Sequence, residues 1–198
     1  MTQTKQDSAQ IYLSLTWQTM LNFRQKVSQP ECLDGAIDDE KAMLPQHQRD
    51  DDYSAMAISG IYKVMLAYSF GKYTLAVDRI AQTQPYLQAV LGMFFVPVFH
   101  FYSALSHLAL LPSPLAWEQA EILAQVEIHQ AALLHFAQNA PMNHLHKWHL
   151  VEAERQRVLG DKLAAIEHYD LAISLAKANE FLNEEALANE NIRLDRQS

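Results

Sequence analysis

The stretch LVEAERQRVLGDKLAAIEHYDLAISLA, residues 150–176, decides the fold. Gly160-Asp161 interrupts two runs that otherwise read as helix, from about Leu145 to Leu159 and from Lys162 to Asn179, so the pair predicts an antiparallel helix hairpin with a two-residue turn. Two helices that cross closely need small side chains where their backbones approach and large ones where they interlock. Counted from Gly160, Ala153 takes a small position in the first arm, while Ala165, Tyr169 and Ala172 supply small, aromatic and small positions in the second.

Working outward, the same design recurs. Met56, Ile61, Met65 and Tyr68 stripe a helix over 54–70, Gly71-Lys72 makes a tight connection, and Tyr73 to Thr83 continues as helix until Pro85. Gly71, Tyr73, Ala76 and Ile80 stand at offsets matching the later hairpin, but Val64 occupies its first-arm small position. A third, longer pair is predicted at 92–111 and 117–138, joined by the PSP turn at 112–114, with Ile122, Val126, Leu133 and Phe136 along the seam. Before these, Asp7 or Ser8 caps a helix carrying Ile11, Leu15, Met20, Leu21, Phe23 and Val27 and ending before Pro30. A short helix over 37–44 stops at Pro45, and Asp50, Asp51 and Asp52 cap its successor. A last helix starts near Phe181, and no alternating run long enough for a strand is present.

Paired helices with small residues at the crossings resemble tetratricopeptide repeats, in which each unit buries its apolar face only by stacking on neighbours. The resulting expectation is an all-α fold: an irregular, tetratricopeptide-like α-solenoid of about three hairpins plus an N-terminal helix. An N-terminal helix and connector at 1–52 would precede one continuous repeat region at 53–198. The repeat positions are Gly71, Tyr73, Ala76, Ala153, Gly160, Ala165, Tyr169 and Ala172.

Composition narrows the function. Of 198 residues 49% are hydrophobic, enough for a sizeable core. A net charge of -8, with 15 Lys and Arg forming no basic stripe, argues against nucleic acid. Cys32 is the single cysteine, which excludes an intrachain disulfide and a Cys-rich metal site and fits a reducing cytoplasm. The polar N-terminus carries no signal-peptide pattern. From Ile80 to Trp117 no Asp, Glu, Lys or Arg occurs, and Leu91 to Leu111 has the length of a membrane span. His100, His107, Ser103 and Pro97 within it, and the lack of basic flanks, favour instead a helix surrounded by other helices, so no membrane partner is expected.

Catalytic patterns fail on inspection. Gly71-Lys72 resembles the end of a phosphate loop, yet Leu66 replaces its first glycine and Tyr73 its magnesium-binding hydroxyl. His47-Gln48-Arg49-Asp50 has the wrong order for a kinase catalytic loop. His144, His146 and His149 cluster in sequence, but helical geometry separates His144 from His146 and the four-residue zinc spacing is missing. His100 and His107, two turns apart, share a face and read as buried neutral imidazoles or pocket lining. The acidic pairs Glu152 and Glu154, and Glu184 and Glu185, read as solvated. No catalytic residue, metal or cofactor is expected.

Several segments together resemble the helical region inside large cyanobacterial-type signalling proteins that join a serine/threonine kinase, an ATPase and a sensor histidine kinase. The words carrying this are DDEKAMLP at 38–45, YKVMLAYSFGKY at 62–73, VLGMFFVPVFHFYSALSHLAL at 90–110, APMNHLHKWHLVEAERQRVLG at 140–160 and EEALANE at 184–190. The likeness covers roughly residues 10–190; after EEALANE the chain departs from the pattern. It implies a tetratricopeptide-like linker without catalytic residues. The expected function is therefore a non-catalytic interaction or scaffold module for a signalling kinase or a peptide segment, with Tyr62, Tyr73, Phe101, Tyr102, His100, His107 and Trp148 as the interaction surface. The alternatives are a membrane-associated protein anchored through 91–111, a small-ligand or metal binder using the histidines, and the remnant of a truncated gene.

Overall fold

The computed structural model describes residues 5–24, 28–37, 39–111 and 116–195. Within them the chain is all-helical: α1 (Lys5–Arg24), α2 (Glu40–Arg49), α3 (Tyr53–Ser69), α4 (Tyr73–Thr83), the 3₁₀ helix η1 (Gln84–Val90), α5 (Phe95–Leu110), α6 (Ala116–Asn139), α7 (Pro141–Leu159), α8 (Lys162–Ala178) and α9 (Leu182–Asp195). The described residues form no strand, only an isolated bridge between Asp34 and Asp39. No described helix is long and apolar enough to cross a membrane, and α5 accounts for only sixteen residues of the uncharged stretch.

Two compact units divide at residues 102 and 103, inside α5. In the first unit α3 is the centre, packed by α1, α2, α4 and η1. Ala55, Ile58, Ile61, Val64, Leu66 and Ala67 are all within 1% of complete burial. A helix covered on every side needs no narrow apolar stripe. Asp52 caps it, accepting from the Ala55 N–H at 3.0 Å. Gly71, at φ 70, turns the chain into α4.

Two differences from expectation have physical causes. α1 buries Leu15, Gln18, Thr19 and Asn22, whereas Met20 and Phe23 are 48% and 43% exposed. The face is polar because it holds the following connector. The Asn22 carboxamide donates to the Pro30 and Cys32 carbonyls, and Gln18 Oε1 accepts from the Ile37 N–H at 3.1 Å. α2 runs through Pro45 instead of stopping there, with Asp39 capping the Lys41 and Ala42 N–H groups. α4 ends at Thr83 as expected, and Pro85 follows in the first turn of η1, where its fixed φ suits a helix start. The caps expected at Asp7 and Ser8 lie inside α1, which is helical from Lys5. The PSP turn and Val27 lie outside the described residues.

The second unit, Ser103–Ser198, holds the end of α5 and the series α6, α7, α8 and α9, each packed on the next. α7 lies between α6 and α8, so Leu150, Val151, Glu152, Ala153 and Glu154 are consecutively buried.

Candidate interaction surface

The α7–α8 turn is built by two local devices. Gly160 at φ 88 closes α7: its N–H donates to the Arg157 carbonyl at 3.1 Å and the Asp161 N–H to that of Gln156 at 3.0 Å. Asp161 then caps α8 through the Ala164 N–H. The hairpin that follows places Ala153, Ala165 and Tyr169 at zero exposure and Ala172 at 2%. Tyr169 reaches across, its hydroxyl donating to the Glu154 carboxylate, which Arg157 holds from 2.8 Å.

Glu152 and Glu154 were expected in solvent; both are buried. Glu152 accepts from Arg155 at 2.7 and 3.0 Å, from Gln156 at 2.6 Å and from Gln130 of α6 at 3.2 Å. Burial alone would raise its carboxyl, but the hydrogen bonds from Arg155, Gln156 and Gln130 outweigh that and hold it below the usual range. Gln130 also donates to the Trp148 carbonyl at 3.1 Å, leaving its own buried Oε1 without a hydrogen-bond partner. Sequence reading missed these residues. The signal was the repeated Glu-x-x-Arg at 152/155 and 154/157, which places each pair on one helix face.

Beside this network lies a groove of about 640 Å³ between α6 and α7. Ala120, Ala124, Glu127, Ala131 and Leu134 form its α6 side, four and three residues apart, and all five are exposed. Trp148, Glu152 and Arg155 form the α7 side. Small residues at this spacing let another helix backbone approach closely, and Leu123 and Leu134 add apolar surface.

The residues expected on an interaction surface divide sharply. Trp148 lines the groove, half-buried, its ring edge-on to His149 and His168. Tyr73 is exposed and tilted against Tyr68. Tyr62 and Phe101 are core residues, a correction. Tyr62 hydrogen-bonds Thr16 of α1 at 2.8 Å and meets Phe95 edge-on, and Phe101 has no exposed area. Tyr102 is half-buried against Tyr68 and Phe101. Burial pushes the His100 imidazole down to about 4. His107 is also buried and depressed, with Nδ1 2.8 Å from the Ser103 carbonyl. Neither is part of an open surface.

The histidines of α7 diverge. His144 meets Phe136 edge-on, His146 stacks on Phe181 of the α8–α9 connection, and His149 Nδ1 lies 2.9 Å from Nδ1 of His168 on α8. Among the described residues no group of three His, Cys, Asp or Glu is placed to hold a metal. The Cys32 thiol is raised by burial and then by Glu40 and Glu31, which suppresses the nucleophilic thiolate.

Comparison with protein-family models, curated proteins and solved structures finds no match to this chain.

Proposed function

We propose that this chain is a non-catalytic, tetratricopeptide-like helical module that holds a segment of a signalling protein, a kinase or a peptide part of one, in the α6–α7 groove. The observation carrying this reading is the groove itself. An exposed stripe of three alanines and Leu134 stands beside Trp148, on a wall made stiff by the Glu152–Arg155–Gln130 network. A packed helix-on-helix scaffold with a small-residue groove suits docking of an amphipathic helix. The close α7–α8 crossing over Ala153, Ala165 and Ala172 supports the tetratricopeptide-like assignment. The solenoid arrangement, the kinase-associated setting and the cytoplasmic location belong to the same proposal and rest on the sequence resemblance and the single cysteine.

The test is affinity capture from a cyanobacterial-type lysate, read by mass spectrometry, with the tagged native chain and with an Ala124→Arg, Ala131→Arg variant. Both substitutions lie on exposed helix positions, so an unchanged circular-dichroism spectrum is expected of the variant. Recovery of a serine/threonine or histidine kinase by the native chain, lost in the variant, is the expected result. Equal recovery by both, or a blank from folded native protein, would overturn the reading.

A further inference from the structure

A second cavity, of about 360 Å³, lies wholly in the first unit among α2, α3, α4 and η1. One wall is apolar, made by Leu44 and Met56 with the ring of Tyr86; the other presents Ser59, Lys63 and Arg79. The charges there do not balance. Lys63 Nζ is 2.6 Å from Glu40 Oε1, and Arg79 shares that same oxygen only at 3.8 Å, beyond hydrogen-bonding reach. Two cations therefore face one carboxylate. The nearby Cys32 thiol supplies no second negative charge, since burial and then Glu40 and Glu31 keep it protonated.

Donors are in excess as well. The Arg79 side chain is only 20% exposed, yet its guanidinium makes no hydrogen bond to a described residue. Ser59 is 6% exposed, and its hydroxyl has no partner among the described residues. Both donors are open to the cavity, and a guanidinium is matched in shape by a carboxylate. Burial lowers the Lys63 ammonium against the pull of Glu40, a cost that a further anion would offset. The wall is held in place by Gly60: a side chain there would collide with Thr83, whose hydroxyl is fixed on the Arg79 carbonyl at 2.7 Å.

We propose that this cavity binds a small organic monocarboxylate, with Arg79 and Ser59 taking the carboxylate beside Lys63 and with Leu44, Met56 and Tyr86 covering an apolar body. The planar fork of Arg79 fits a planar carboxylate in two-point contact, and the apolar wall fits an organic body that phosphate lacks. The site is independent of the groove in the second unit.

Titration calorimetry on the full chain would use benzoate, phenylacetate and hexanoate, with inorganic phosphate and benzylamine as comparison probes. Saturable binding of at least one carboxylate at millimolar concentration is expected, weakened about tenfold or more in Arg79→Gln and reduced in Ser59→Ala. Because Lys63→Met can fail to fold, the half-covered Arg79 carries the decisive variant, and amide shifts of Ser59 and Lys63 on ligand addition locate the site. No saturable carboxylate binding, tighter binding of phosphate or benzylamine, or unchanged affinity in Arg79→Gln would each overturn the assignment.

Discussion

Ala172 and Leu163 sit on the same helix under opposite constraints: Ala172 is 2% exposed against α7, whereas Leu163 is 79% exposed. Adding three carbons at the first site forces the helices apart or drives the side chain off its rotamer. Ala172→Leu is therefore expected to lower stability by roughly 1–3 kcal/mol, and Leu163→Ala to change it little, both read by urea titration. An unchanged midpoint for Ala172→Leu would contradict the close crossing. Residues of this kind were legible in the sequence, because an alanine three or four positions from a tyrosine after a turn glycine has a geometric meaning. Glu152 and Glu154 were not. A carboxylate reads as solvated until its arginine, glutamine and tyrosine partners are brought around it, and Gln130 and Tyr169 come from other helices.

At the scale of elements, α9 is secured by a buried cation. Lys147, 5% exposed along its side chain, contacts Glu184 at 3.0 Å and lies 4.4 Å over the Phe181 ring, on which His146 also stacks. Removing one partner of a covered pair leaves an uncompensated charge. In Glu184→Gln the amides of α9 are expected to exchange hydrogen faster, with those in the middle of α8 unchanged; equal protection of α9 in both proteins would exclude this anchor. Boundaries were readable wherever glycine or aspartate made a turn, as at Gly71, Asp52 and Gly160-Asp161. Pro45 misled, since it gives up one helical hydrogen bond in a helix otherwise capped by Asp39, whereas α4 does end at Thr83, ahead of Pro85.

Across the whole molecule the buried and half-buried histidines shape the response to acid. Burial is the leading cause that takes His100 from 6.5 down to about 4 and His146 down to about 3, and it lowers His107, His144 and His149 as well. Above pH 6.5 these groups are neutral folded or unfolded and cost nothing. As pH falls below 6.5 the unfolded chain takes up protons that the folded chain refuses, so stability drops until the folded values are passed. His100 alone contributes a loss on the order of 3 kcal/mol by pH 4. Glu152, depressed when folded, loses stabilisation in the same acid direction below its usual value. Urea midpoints are expected to be level from pH 8 to 7 and to fall steadily from 6.5 to 4; a constant midpoint down to pH 5 would refute the burial of neutral imidazoles.

The all-helical class, the hairpin turns and the small residues at the α7–α8 crossing follow from sequence alone, since helical period, turn glycines and capping aspartates act over a few residues. Only the tertiary structure decides which polar groups are covered. The Glu152 network, the Lys147 anchor, the Lys63–Glu40–Arg79 imbalance and the burial of Tyr62 and Phe101 depend on residues distant in the chain. A side chain's environment is set by what packs over it, and local sequence carries no record of that.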